Sequence, residues 1–156
     1  MTESSIQEFE QCVIQLERLL RTVSSIIKRR GRDVLQDFDI TTPQFNALLI
    51  LRHRNLTIGE LGERMFLACS TATDLIDRME RNNLVERVRD SNDRRVIRLN
   101  VTERGMQMVD EVMTARIRYL SKILQDVSLE ELKVMIAGMT HLEELMRDSQ
   151  VTSSRA

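Results

Sequence analysis

What the chain has little of narrows it first. Among its 156 residues only two are cysteines, Cys12 and Cys69, far apart and without metal-type spacing. A disulfide framework is thereby excluded, and the count fits a reducing cytoplasm. The two histidines, His53 and His141, stand isolated and supply too few donors for a zinc sensor, so no metal is expected. Neither charge sign dominates, with 23 basic against 24 acidic side chains, so nothing global argues for a nucleic-acid or membrane partner. Such a role has to come from local distribution. No uninterrupted apolar run approaches the ~18 residues of a membrane span, and the opening MTESSIQEFEQC is acidic and polar where a signal peptide is basic and then apolar. A soluble, cytoplasmic protein is expected. Nucleophile elbow, P-loop, H-E-x-x-H and Gly-rich phosphate cradle are all missing, which argues against an enzyme and against a cofactor.

What is there is mostly helical periodicity. Ile6, Phe9, Val13, Leu16, Leu20, Val23 and Ile27 recur at spacings of three and four, one stripe of a helix reaching about Gln36. At about 1.5 Å per residue it runs on the order of 45 Å, too long to bury its stripe against one small lobe. Near the other end Leu129, Leu132, Met135, Ile136, Met139, Leu142 and Met146 form a second amphipathic face without an obvious local partner. Two such helices imply an intertwined dimerisation lobe, residues 1–36 with 103–148, and leave 149–156 as a disordered tail.

Between them the elements are short and each has its own start chemistry. Thr42 followed by Pro43 suits an N-cap and first helical position, for a helix to about His53. Thr57 and Glu60 make a capping box with Leu56 and Leu61 at the staple positions, opening a helix at Ile58. Ser128 and Glu131 repeat the device, and Thr102 caps a helix from Glu103 to about Gln125. A helix from Cys69 or Ser70 turns Ala72, Leu75, Ile76 and Met79 inward and Ser70, Asp74, Asp77, Arg78 and Arg81 outward, with Thr71 and Thr73 on its flanks. Then VERV and VIRLNV alternate at period two around the loop Asp90 to Arg95, which makes a hairpin. The fold class is mainly α with a small β-hairpin wing: a winged helix-turn-helix over residues 40–102, plus long N- and C-terminal dimerisation helices.

In that order of elements the second short helix can enter a DNA major groove. Ser70, Thr71 and Thr73 suit its leading end, because short hydroxyls donate or accept and a Thr methyl can touch a thymine methyl. Arg78 is the best candidate there for a guanine or phosphate. Asp74 and Asp77, each four residues before an arginine, are placed to pre-orient Arg78 and Arg81. The same carboxylates would repel phosphates, and a solvated face laced with ion pairs accounts for this helix equally well. The hairpin shifts the balance. From Arg78 to Arg98 seven arginines face four carboxylates and no lysine occurs, whereas a merely solubilising face would mix the two bases. Arginine presents a planar fork that binds phosphate bidentately and enters narrow minor grooves.

STATDLIDRMERNNLVERVRDSNDRRVIRLNVTERG, with ITTPQFNALLIL and LTIGELGERMFL, resembles the winged-helix core of the MarR (multiple antibiotic resistance regulator) family. The resemblance is strong over roughly residues 40 to 106, and its most specific part is a D-x-R wing followed by L-x-V-T-x-x-G. It implies a homodimeric transcriptional regulator docked on a pseudo-palindrome of double-stranded DNA. Carried over by position, Asp93 braces the wing, Arg95 reaches into the minor groove, and Arg94 and Arg89 serve as phosphate or bracing partners. Ser70 to Arg78 would face the major groove. The chain departs from the family at Asn83, where Gly is frequent, at Ala68, where Ser or Asp commonly caps, and at Asp74, where a basic residue is frequent.

The resemblance also implies a small-molecule, oxidant or metal signal, and leaves its identity open. A repressor released by a small-molecule ligand is the leading expectation. Two alternatives stand beside it: redox sensing through Cys69, near a helix N-terminus that can favour the thiolate, or a winged-helix protein-interaction module that binds no DNA. For Cys69, as for Cys12, a buried core position is the simpler expectation. The nine methionines read as flexible core, with some available to line an apolar pocket.

Overall fold

Helix boundaries in this chain are set by side chains and backbone turns that close the ends of the hydrogen-bond ladder. The computed structural model describes the backbone of residues 3–153 and the side chains of residues 4–148. The elements run α1 (Glu3–Asp37), α2 (Thr42–Leu51), α3 (Ile58–Met65), α4 (Cys69–Arg81), β1 (Val85–Arg89), β2 (Ile97–Val101), α5 (Glu103–Ile123) and α6 (Leu129–Ser153). The strands pair antiparallel, with Arg87 opposite Leu99 and Arg89 opposite Ile97. This is the expected helical architecture with one hairpin. The chain divides into two units, one ending at Arg116 and one beginning at Ile117, so the boundary falls within α5.

Capping boxes open three of the helices. Thr57 accepts from Glu60 N while Glu60 accepts from Thr57 N at 2.7 Å, and Leu56 and Leu61 flank the box as buried residues. Ser128 and Glu131 do the same for α6. At α2 the cap is Thr41, not Thr42: only Thr41 has a Gln three residues on, and Gln44 Oε1 accepts from Thr41 N at 2.9 Å. Pro43 therefore sits one position deeper in the first turn than its sequence neighbours suggested, where it still has no ladder bond to lose. The last helix reaches Ser153, into the segment assigned to a disordered tail, because no Pro or Gly interrupts MRDSQVTS. Residues 154–156 of that assigned tail lie outside the described residues.

Three helices end on a residue in the left-handed conformation, and among the described residues none of the three is Gly. Asp39 (φ 51) closes α1, Phe66 (φ 55) closes α3 and Asn83 (φ 56) closes α4. Each sits in a paired-turn cap: Ile40 N donates to Leu35 O, Leu67 N to Gly62 O, and Leu84 N to Met79 O. Asp and Asn tolerate this conformation through their short polar side chains. A Phe there bears the full Cβ clash, roughly 1–2 kcal/mol.

The core of the first unit sits where α2, α3, α4, the hairpin and α5 meet. Phe45, Leu48, Leu61, Ile76, Met79, Val85, Leu99, Val109 and Val112 are fully enclosed. Each such side chain contributes about 1.5–3 kcal/mol of burial. The hairpin is fastened to this core twice, by Leu99 and Val85 and by the backbone bond Leu99 N to Leu56 O at 2.8 Å. Arg116 of α5 lies over the Phe45 ring at 4.6 Å. By contrast α1 gives the core only its C-terminal end, with Leu35 buried and Val34 packed against the cluster, and most of its apolar stripe, from Ile6 to Ile27, is at the surface of the single chain. In the second unit Leu129, Met135, Ile136, Met139 and Met146 of α6 are exposed in the same way.

The start of α5 explains the glycine of the L-x-V-T-x-x-G signature. Thr102 N donates to Leu84 O at 3.1 Å, and Thr102 Oγ1 donates to Asn83 O at 2.6 Å while accepting from Gly105 N at 3.0 Å. These bonds press the first turn of α5 onto the α4–β1 link. A Cβ on Gly105 would overlap Leu84 O and come within 2.7 Å of Val101 Cγ1. Gly105→Ala is therefore expected to destabilise by about 2–3 kcal/mol through overpacking against backbone, read as a lower urea midpoint with an unchanged m-value.

Candidate nucleic-acid interface

The surface of interest is the leading end of α4 together with the hairpin. Burial fixes the rotation of α4: Ala72, Leu75, Ile76 and Met79 face the core, as the periodicity requires. Ser70, Thr71, Asp74 and Arg78 are consequently exposed, and Thr73 is half-buried with its hydroxyl donating to Cys69 O at 2.9 Å. Ala68 is the N-cap and no side chain caps the helix, so Ser70 does not take that role. The uncapped end presents backbone N–H groups and the positive pole of the helix.

Neither of the ion pairs expected along α4 forms, and one of the two carboxylates, Asp77, is used elsewhere. Arg78 Nε donates to the Asp74 backbone oxygen at 3.1 Å, not to its carboxylate. Asp77 pairs with Arg87 Nη2 of β1 at 2.5 Å rather than with Arg81, and Glu80 takes Arg87 Nη1. Partial burial alone would lower the Arg87 pKa; its hydrogen bonds and charge interactions with Asp77 and Glu80 outweigh that and raise it above the ordinary guanidinium value. Helix spacing pointed to Arg81, but the hairpin folds back onto α4 and offers a partner with two carboxylates in reach. The clamp offsets part of the charge of two α4 acids with a single guanidinium.

The loop between the strands builds its shape from aspartates instead of glycine. Asp90 Oδ1 accepts from Asn92 N and Asp93 N, at 2.8 and 3.1 Å, while Asp90 Oδ2 accepts from Arg98 Nε. Asp93 Oδ1 accepts from Arg95 N at 3.0 Å, and Val96 N closes a turn onto Asp93 O at 2.9 Å. Arg94 and Arg95 are thus the two central residues of that turn and project from the tip. The Arg95 side chain is 92% exposed, held only by its Nε on Asp93 Oδ1 at 3.3 Å. Arg94 and Arg89 are exposed as well.

Arg98 ties this loop to the body. Besides Asp90 it donates through Nη1 to Asn55 O at 2.9 Å, and it lies 3.8 Å from Glu60 Oε2, the carboxylate of the α3 capping box. Within the loop Asp93 Oδ1 holds the backbone and Nε of Arg95, and Asp90 with Arg98 anchors the loop to the body. The only sequence signal for Asp90 was its place at the strand end; its partner lies across the hairpin.

The remaining candidates are quickly placed. Cys69 and Cys12 are both exposed, contrary to the expectation of core positions, because Cys69 precedes the first inward residue of α4 and Cys12 flanks a stripe that the single chain leaves uncovered. His53 and His141 are exposed, and among the described residues no three His, Cys, Asp or Glu side chains come together as a metal site. No helix among the described residues is long and apolar enough to cross a membrane.

Known proteins share this arrangement. The MarR family model matches residues 40–97. The HTH-type transcriptional regulator YsmB of Bacillus subtilis is 43% identical over 136 residues, covering 86% of this chain and 93% of that protein. The structure of a MarR family protein from Bacillus stearothermophilus is 45% identical and covers 88% of this chain and 97% of that one, with a TM-score of 0.80. A mutant of Staphylococcus aureus MepR, solved bound to an oligodeoxyribonucleotide, superposes with a TM-score of 0.66 over 84% of this chain and 97% of that one; at 23% identity it shows the shared fold.

Asp90 gives the interface a measurable signature. The hydrogen bond from Arg98, with those from Asn92 and Asp93, holds its carboxyl at about 2 instead of 3.8. A depressed carboxylate contributes its stabilisation above its unfolded value and loses it as pH falls through the folded one. The Asp90 carboxyl carbon is expected to titrate by NMR near pH 2, with the loop intact at pH 4, and Arg98→Gln should move that midpoint up toward 3.8.

Proposed function

This chain belongs to the MarR family of transcriptional regulators, and we propose that it acts as a homodimeric repressor of pseudo-palindromic operator DNA, released by a small-molecule ligand. One observation carries the DNA-reading assignment: Arg95 stands almost wholly exposed at the tip of a loop that Asp90, Asp93 and Arg98 rigidify. A side chain presented so far from any structural use, on so firm a mount, suits insertion into a minor groove. Arg94 and Arg89 are then phosphate partners flanking it. Ser70, Thr71, Thr73, Asp74 and Arg78 face the major groove, and the uncapped start of α4 suits a phosphate oxygen.

The dimer is supported by what a single chain leaves uncovered. Phe9, Val13, Leu16, Val23 and Ile27 on α1, and Met135, Ile136 and Met139 on α6, are exposed in rows at helical spacing. Apolar rows of this extent mark an interface rather than a water-facing surface. A second copy is the partner we assign to them, with the dimerisation lobe drawn from residues 1–36 and 103–148 and the winged lobe from 40–102. Two-fold symmetry then places half-sites about one helical turn apart, on the order of 34 Å. A cytoplasmic regulator without catalytic activity is the consistent reading.

The test is a salt titration on a duplex that the protein itself selects from genomic fragments. Affinity should fall steeply with salt, with two chains per duplex, and Arg95→Ala should weaken binding by about tenfold and reduce the log–log salt slope by about 1. Protein without duplex preference at low salt, or an Arg95→Ala variant that binds unchanged, contradicts the reading.

A further inference from the structure

Phe66 sits in the turn between α3 and α4, and the folded chain gives it nothing. Its backbone is left-handed at φ 55, and its side chain is 96% exposed, more than any other large hydrophobic among the described residues. The other two left-handed caps are held by Asp39 and Asn83, for which the conformation is tolerable. Leu67, next in sequence, turns inward against the core. The ring of Phe66 therefore adds strain without adding packing, and strain of this kind is found where a residue serves something outside the fold.

Its position says what. Phe66 precedes the first residue of α4 by three, and Ala68, Cys69, Ser70 and Thr71 after it are all exposed. The ring is thus continuous with the leading end of the helix assigned to the major groove. We infer that Phe66 is a specificity-determining DNA contact, its ring packing on the 5-methyl group of a thymine. This rests on the DNA-reading assignment of α4. The thymine methyl is the one apolar group that base edges offer in the major groove, and Phe is among the side chains able to take it. A protein partner would call for a broader apolar patch around the ring. Glu63 and Arg64 on the preceding turn of α3 and Ser70 beyond are exposed and polar, which leaves a lone ring of a size to meet a methyl.

The experiment uses the full-length protein and a duplex selected by it from a random-sequence pool, with Phe66→Gly and Phe66→Ala as variants. Phe66→Gly should raise Tm by about 2–4 °C, because it removes the left-handed strain and no packing; Phe66→Ala should not. Both should bind the selected duplex about tenfold more weakly, with the salt slope of the wild type, since the lost contact is not ionic. Thymines are then replaced singly by 2′-deoxyuridine, which deletes only the methyl. At one thymine of each half-site the swap should weaken the wild type and leave both variants unaffected. Variants that bind as tightly as the wild type, or that keep the wild-type uracil profile, overturn the assignment while the DNA reading stands. A wild type that selects no duplex ends both. A fall in Tm for both variants would make the ring structural and likewise overturns it.

Discussion

The arrangement of the whole reading surface depends on one side chain, Arg87, held between Asp77 and Glu80. A two-stranded hairpin is marginal by itself, and here it has to keep a fixed angle to a helix if both are to meet one duplex. Leu99 and Val85 bury the hairpin's inner face, but apolar contact is non-directional. The guanidinium supplies direction, joining the hairpin to α4 through two carboxylates a helical turn apart. Arg98 does the same at the far end, between Asp90, the Asn55 carbonyl and the neighbourhood of Glu60. These pairs are exposed or partly exposed, so solvent screening leaves them little weight in folding stability. Their value lies in geometry.

Two arginines used internally sort the remaining ones. Arg87 and Arg98 engage Asp77, Glu80 and Asp90 and offset part of their charge, and Arg78, Arg81, Arg89, Arg94 and Arg95 are left exposed outside those pairs. A chain whose total charge is close to balanced thereby gains a local positive edge. Asp74, Glu86 and Asp93 stay outside those pairs, and Asp93 is kept beside Arg95, where it fixes the backbone of the turn and steadies the guanidinium.

Much of this was legible in the sequence wherever the chemistry is local. Thr57 with Glu60, Ser128 with Glu131, and the inward set Ala72, Leu75, Ile76 and Met79 are governed by residues within one helical turn, and the structure repeats them. Asn83 keeps the left-handed cap where glycine is usual. What escaped involves contacts across the fold. Asp77 chooses Arg87 over Arg81 because the hairpin returns over α4, and Asp90 finds Arg98 on the opposite strand. The α2 cap is a local exception: Thr42 before Pro43 reads as the start, but Thr41, with Gln44 three residues on, caps the helix. The strained exposure of Phe66 has no sequence signature, since a hydrophobic residue in a turn reads as core by default.

In the proposed repressor two copies of this surface grip one duplex, each hairpin tip in a minor groove. Hydroxyl-radical cleavage of the bound operator tests it most directly, because the reagent attacks the sugar edge that lines that groove. Two protected minor-groove stretches related by the operator's dyad are expected, both lost from the complex formed by Arg95→Ala at protein concentrations that still saturate the DNA. Protection confined to the major-groove side, or a single protected stretch without a dyad mate, would contradict it.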